Sequence, residues 1–166
     1  MVKEILLANG KGVAIVDAAD FEEVNRYNWH LRELNTHCYA QAPIKSEKTK
    51  SGQTQLSMHR LILKASKKEQ VDHINNNGLD NRKINLRMCN PSQNHGNQRK
   101  YKKDTSSQYK GVYWHTRGKK WAAFIRYNSI RIHLGLFDIE DYAALAYNTK
   151  AVELFGEFSY LNKVVG

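Results

Sequence analysis

Short β-prone runs alternate with turn signals over the first 45 residues. Glu4-Ile5-Leu6-Leu7 and Gly12-Val13-Ala14-Ile15-Val16 read as strands on either side of the turn signal Asn9-Gly10. Asp20-Phe21-Glu22-Glu23-Val24 predicts a short helical turn with Asp20 as its cap. Asn28-Trp29-His30-Leu31 and Cys38-Tyr39-Ala40-Gln41-Ala42 predict a second hairpin, with Trp29 as a core anchor. Lys45 to Gln55 is charged and rich in Lys, Ser and Gly, the composition of a mobile loop. Met58, Leu61 and Ile62 fall at helical spacing, so a short amphipathic helix comes next, with His59 and Arg60 near its start.

The middle of the chain changes character. Gln70-Val71-Asp72-His73-Ile74 and the run from Ile84 to Cys89 predict two strands. Asn75-Asn76-Asn77-Gly78 suits the loop between them, because Asn and Gly tolerate left-handed backbone. Asn90-Pro91 starts a helix, with Asn as N-cap and Pro at the first helical position. Asn94 and Asn97 then lie on one face of it. The unit reads strand, loop, strand, helix.

From Arg99 the run RKYKKDTSSQ has no apolar periodicity and reads as a basic linker that can track phosphates. Residues 110–115, 120–126 and 130–134 then predict three strands, with Arg117-Gly118 and Asn128-Ser129 at the turns. Alternation assigns Val112, Trp114, Trp121, Ala123, Ile125, Ile132 and Leu134 to a core face. Tyr113, His115, Phe124, Arg126, Arg131 and His133 form the opposite, cationic and aromatic face. A helix from Ile139 to Phe155, capped by Asp138 and ended by Gly156, backs the sheet; Tyr142, Ala143, Leu145, Ala146 and Ala151 suit its packing.

Charge sharpens this picture. Residues 91–135 carry 10 basic groups against one acidic group, Asp104, out of a net +10 for 166 residues. Interleaved with aromatics, that excess suits a polyanion such as double-stranded DNA. No apolar run approaches the roughly 18 residues of a membrane span, and MVKEILL lacks a signal-peptide core, so an intracellular, cytoplasmic or nucleoid protein is expected. Cys38 and Cys89 form no CxxC pair, which indicates neither a disulfide framework nor a thiolate zinc site.

The central stretch carries chemistry suited to phosphodiester cleavage. Mg²⁺ needs only one or two protein oxygens beside water and phosphate, and Asp72 with the Asn94 amide can supply them. The neighbouring His73 can take the proton from a water aligned with phosphorus, since histidine titrates in the range that suits a general base. Neighbouring strand residues point to opposite faces, so Asp72 and His73 acting together require a local bend.

Asp72-His73, then Asn85-Leu86-Arg87, then Asn94 nine residues after Asn85, resembles the HNH endonucleases, a ββα-metal family, in its phage and intron-encoded homing members. The nine-residue interval selects Asn94 over the adjacent His95. The resemblance implies His73 as general base, Asp72 and Asn94 as ligands of a single Mg²⁺ or Mn²⁺ rather than zinc, and Asn85 hydrogen-bonding across the loop and so fixing the orientation of His73. YKGVYWHTRGKKWAAFIRY, HLGLFD, AALAYNTKAVELFG and YLN resemble the AP2 DNA-binding domain, which also occurs in HNH homing endonucleases. It implies DNA contacts from Tyr113, His115, Arg126, Arg131 and His133, to which Lys110 and Arg99 are added. Tyr113, His115 and Phe124 depart from the plant pattern, so a plant target sequence does not carry over. The expected protein is α+β. Its nuclease domain spans 1–100 with a core near 69–99, a linker spans 101–108, and an AP2-like sheet-and-helix domain spans 109–162. The expected activity is metal-dependent, site-specific DNA cleavage; a regulator with an inactive nuclease module and a defence or repair nuclease are the alternatives. Monomer and homodimer are equally compatible with it.

Overall fold

The N-terminal runs pair as their turn signal requires. Strand β1 (Val2–Leu6) lies antiparallel to β2 (Val13–Asp17), with Ile5 opposite Ala14 and Gly10 in left-handed backbone between them. Period-two alternation buries Ile5, Ala14 and Val16 and leaves Leu6 exposed. This computed structural model describes residues 1–34, 37–100 and 105–164. Its chain divides into two units, Met1–Asn90 and Pro91–Gly166. Among the described residues it comprises four small antiparallel sheets and four α-helices, a mixed α and β protein.

In the first unit a single-turn helix α1 (Phe21–Val24) leads to Trp29, whose indole N–H donates to the Val24 carbonyl at 2.7 Å. Trp29 is 1% exposed, and with Val16, Val24, Ala40, Met58 and Leu86 it forms the core expected of it. Asp20 occupies the N-cap position of α1 but makes no side-chain cap bond. Its carboxylate takes the Lys83 ammonium at 2.5 Å, because a buried acid gains more from a cation than from one backbone N–H.

Strands β3 (His30–Glu33), β4 (Cys38–Lys45) and β5 (Gln53–Ser57) form one sheet in that order. The segment expected as a loop from Lys45 to Gln55 is therefore shorter: β4 runs to Lys45, and β5 opens at Gln53 opposite it. An edge strand exposed to solvent needs no apolar alternation, so Gln53-Thr54-Gln55 carries no strand signal in its composition. Helix α2 (Met58–Ile62) comes next and buries Met58, His59 and Ile62.

Strands β6 (Gln70–His73) and β7 (Leu86–Cys89) pair antiparallel, with Asp72 opposite Arg87 and His73 opposite Leu86. The loop between them is sewn onto the rest of the unit. Ile15 of β2 donates its N–H to the Leu79 carbonyl at 2.8 Å and accepts the Asn81 N–H at 2.7 Å. The Asp17 carboxylate accepts the Lys83 N–H at 2.8 Å. Gly78 is required here by close approach, since a Cβ would overlap the Cys38 carbonyl oxygen and the Tyr39 ring.

The second unit opens with helix α3 (Pro91–Asn97). Gly96 lets this helix lie against Phe155, where a Cβ would overlap the ring, and its carbonyl accepts the Tyr160 N–H at 3.1 Å. Of the expected linker, residues 101–104 lie outside the described residues. Ser106 and Ser107 are tied to the C-terminal sheet and the turn before it, accepting the Trp114 and Tyr109 N–H groups at 2.7 and 2.9 Å.

Strands β8 (Val112–His115), β9 (Lys120–Tyr127) and β10 (Ile130–Phe137) form an antiparallel sheet with β9 central. Asn128 and Ser129 both take positive φ, as a tight hairpin turn needs. Helix α4 (Glu140–Phe155) buries Ala143, Ala144, Tyr147, Ala151 and Phe155. Tyr142 and Leu145, expected against the sheet, are exposed, because the buried stripe runs through Ala143 and Tyr147 at i, i+4. Asp138 is not the cap; it pairs with Lys120 at 3.1 Å, and Ile139 occupies the cap position. Among the described residues no helix is long and apolar enough to cross a membrane.

Replacing Trp29 with Ala is expected to destabilise the first unit by about 3–5 kcal/mol, the range for truncating a buried aromatic. Gly78→Ala is expected to cost about 1–3 kcal/mol, since the displaced atom is a backbone carbonyl that cannot turn aside. Thermal or denaturant unfolding of each variant against the parent checks both.

Candidate functional site

Strand β6 ends on two consecutive buried ionisable residues, Asp72 and His73, 7% and 5% exposed. The Asp72 carboxylate is held from the facing strand, where Arg87 donates Nε–H to Oδ2 at 2.9 Å. The guanidinium NH2 group is also 2.8 Å from Oδ2, and both side chains are largely withdrawn from water. The pairing gives the buried carboxylate a cation across the strand pair.

His73 packs beside two aromatic rings and meets the Asn81 amide. The Tyr39 ring lies 5.8 Å away, and the His59 ring meets it edge-on at 5.0 Å. The Asn81 Oδ1 atom lies 3.3 Å from Nε2. Burial pushes the His73 pKa below the usual histidine value, and the Asn81 bond with the Asp72 and Asp80 charges pulls against that shift. The net direction favours neutral imidazole, the form that accepts a proton. Both residues lie within β6, and the turn closes directly after them, with the Asn76 N–H on the His73 carbonyl at 2.9 Å. His59 is driven further, to a pKa of about 3, by burial first and then by His73 and Arg60. It is a neutral wall, not a second charge.

Asn85 hydrogen-bonds across the same loop, as the resemblance implies. Its Oδ1 accepts the Asn75 N–H at 3.0 Å, and its Nδ2 donates to Asn75 Oδ1 at 3.0 Å and the Asp80 carbonyl at 2.7 Å. Its own carbonyl accepts the Ile74 N–H at 2.9 Å. Asn85 thus ties the loop shut, while the amide on the His73 ring is that of Asn81, four residues earlier. Asp80 completes the clasp. Arg82 donates Nε–H to its Oδ1 at 2.7 Å and lies 2.7 Å from its Oδ2, which also holds the carboxyl below the usual range.

Asn94 stands half-buried on α3, in the second unit. Among the described residues no three His, Cys, Asp or Glu side chains gather as a metal cage. The expected donors are sparse, one carboxylate from Asp72 and one amide oxygen from Asn94. Asp72 belongs to the first unit, where a single buried carboxylate suits a hard cation that keeps most of its shell as water and phosphate oxygens.

The second unit follows the expected alternation in part: Trp114, expected on the core face, is exposed. Strand register sets Arg131 opposite Arg126, His133 opposite Phe124, and His115 opposite Lys120. Arg126, Arg131 and His133 are exposed. The Arg131 guanidinium lies over the Phe124 ring at 3.9 Å and over Tyr113 at 5.3 Å, and those rings meet edge-on. Arg99 and Arg126 border a cavity of about 460 Å³ that Val112, Ile125 and Tyr147 also line. Lys110 is not on this face. Its ammonium donates to the His95 and Gly96 carbonyls at 3.2 and 2.8 Å and lies over Tyr147 and Tyr160, and burial lowers its pKa to about 8. It secures the end of α3, where unsatisfied carbonyls attract a cation.

Tyr39, Asn81 and Arg87 join the site without having been singled out from sequence. Arg87 carries a readable signal, a cation directly across a strand pair from a buried acid. Asn81 hides in an Asn-rich loop, where nothing local separates it from Asn75, Asn76 and Asn77.

No family model and no solved structure matches the chain. A curated protein of Acanthamoeba polyphaga mimivirus, described as an uncharacterized HNH endonuclease, is 32% identical over 166 residues. The alignment covers 96% of this chain and 80% of that protein. Likeness sustained along nearly the whole length, on a chain that buries an Asp-His pair at the end of a strand–loop–strand unit, places this chain in the family of HNH endonucleases.

Proposed function

We propose that the chain is a site-specific DNA endonuclease of the homing type, which hydrolyses a phosphodiester bond with His73 as general base. The observation that carries this reading is the His73 imidazole, buried and biased to its neutral form beside an Asp72 carboxylate that Arg87 pairs with. A water aligned with phosphorus gives its proton to His73 as its oxygen bonds to phosphorus. The P–O bond to the leaving sugar breaks, and that oxygen takes a proton from solvent. HNH nucleases use a divalent metal; Mg²⁺ or Mn²⁺ bound through Asp72 and Asn94 would offset the charge that builds on the phosphate. Asn85 supports catalysis by holding the loop closed, and the Tyr39 and His59 rings shield one side of His73 from water.

The C-terminal sheet, which resembles the AP2 domain, would supply affinity and register on double-stranded DNA. Arg126, Arg131, His133, Tyr113 and His115 are the proposed contacts, with Arg99 on phosphate. A sheet face of this kind fits a major groove, and Arg is the side chain suited to guanine edges and phosphates alike. Stacking on Phe124 and Tyr113 holds Arg131 extended before DNA arrives, which lowers the entropy given up on binding.

His73→Ala is expected to abolish metal-dependent nicking of supercoiled plasmid carrying candidate targets, and EDTA is expected to do the same to the parent. DNA affinity of His73→Ala stays near the parent value in a binding titration. Persistent nicking by the variant would remove His73 from its role. The double variant Arg126→Ala, Arg131→Ala is expected to weaken DNA binding by about 1–3 kcal/mol for each base edge no longer bound, and less where the arginine meets phosphate. Unchanged affinity and an unchanged salt slope would take the sheet face out of the interface.

A further inference from the structure

The cavity of about 460 Å³ in the second unit falls within the roughly 300–1,000 Å³ of ligand pockets. Apolar walls left uncovered forfeit the contacts that packing would supply, so a cleft of this kind costs stability until something fills it. Its lining has two parts. Val112 and Ile125 are buried apolar residues, and the rings of Tyr113, Phe124, Tyr147 and Phe155 join them. Arg99, Lys100, Lys110 and Arg126 add cationic groups, and no Asp or Glu is among the described residues that line it. The Tyr147 ring is held in place. It is 2% exposed, a Cβ on Gly111 would overlap it, and the Lys110 ammonium lies 5.9 Å from its centroid.

Aromatic walls with cations and no acid suit a flat ring system that carries negative charge. A nucleotide is such a ligand, because every base has a π-face that stacks on aromatic side chains and its phosphate pairs with Arg or Lys. The source of the nucleotide follows from the strands. Tyr113, Phe124 and Arg126 line the cavity and also belong to the sheet face proposed for DNA. The Arg131 guanidinium of that face lies over two of those residues, the Phe124 and Tyr113 rings. Cavity and face therefore share side chains. A base pair cannot enter a space of this size, whereas one turned-out nucleotide can. We propose that the cavity receives a single unstacked nucleotide of a DNA strand bound along the sheet face, its base on the aromatic lining and its phosphate on the cationic groups. A strand held in this way is fixed in register, since sliding by one step withdraws the base. This inference rests on the sheet face being a DNA surface, and adds to it a site for one nucleotide outside the duplex stack.

The test titrates the full-length protein, in EDTA, against three duplexes of one sequence. The first is fully paired, the second carries one extra unpaired adenosine, and the third has an abasic residue in place of that adenosine. An unpaired base has no partner to give up, so turning it out costs little. The parent is expected to bind the adenosine duplex about 10–100-fold more tightly than the paired one, the range for one base stacked on aromatic side chains. The abasic duplex, which keeps the extra phosphate and the flexible joint, is expected to bind like the paired one. Thr105→Trp places a ring in the lining from an exposed position. It is expected to remove the preference for adenosine while affinity for the paired duplex stays parental. Equal affinity of the parent for all three duplexes would overturn the inference and leave the sheet face standing. Abasic binding as tight as that of adenosine would also overturn it, because flexibility and not the base would then be recognised. So would a Thr105→Trp variant that keeps the full preference. Displacement of the adenosine duplex by micromolar adenosine monophosphate would overturn the strand as the source, since a free nucleotide lacks the sheet contacts. Should Thr105→Trp fail to fold, the adenosine and abasic duplexes decide on the parent alone. A parent that binds none of the three would sink the DNA reading of the sheet face and this inference with it.

Discussion

The two backbone hydrogen bonds of Ile15 are the constraint on which the rest of the first unit depends. A loop of about a dozen residues rich in Asn and Gly has many conformations of similar energy, and its own sequence selects none of them. By offering one N–H to Leu79 and one carbonyl to Asn81, the edge of β2 gives the loop a strand to lie on. With that register fixed, Asp80 meets Arg82, Asn85 meets Asn75, Lys83 reaches Asp20, and Asn81 meets His73. Each of these bonds is modest by itself, on the order of 1 kcal/mol net. Their value lies in agreement, since all of them form in one loop conformation and few could form in another.

Burial is the second determinant, and it acts on charge. His59 and His73 share a pocket with Tyr39 where water is largely excluded, so both rings are pushed toward neutrality and Tyr39 away from ionisation. Asp72 belongs to the same neighbourhood, and the Arg87 guanidinium faces it across the strand pair. Removing either member of that pair would strand the other in a poor solvent, which is why such pairs break at much greater cost than they form.

Legibility in the chain tracks the physics of each element. The β1–β2 hairpin, the β6–loop–β7 unit, the start of α3, the three C-terminal strands and α4 rest on local signals, alternation and turn residues, and they are legible for that reason. The sheet face of Arg126, Arg131 and His133 is legible by the same route. Strand β5 is not, because its pairing partner rather than its composition makes it a strand. Asp20 and Asp138 read as caps because caps are local, and each is claimed instead by a lysine distant in sequence. Lys110 reads as a surface cation for lack of any sign that two carbonyls and two tyrosine rings enclose it. The identity of the amide on His73 is the least legible, since the Asn residues of that loop differ only in where the backbone aims them.

A site of this kind is assembled against the stability of the unit that carries it. Asp72, His73, Asp80, Asn81 and Asn85 are all nearly withdrawn from water within one short stretch, where apolar side chains would pack at lower cost. Asn81 Nδ2 and His59 Nδ1 are left without partners, a penalty no folding requirement explains. The compensation lies alongside: Trp29, Met58, Val16 and Val24 are almost fully buried in the cluster that also takes Leu86 of β7. Leu86 therefore connects the two halves of the balance, anchoring β7 in the core at the position opposite His73. The aliphatic core fixes the strand pair, the strand pair fixes the loop, and the loop aims the amide at the ring. Rigidity gained from apolar packing is what allows polar groups at the strand end to be held where solvation alone would never leave them.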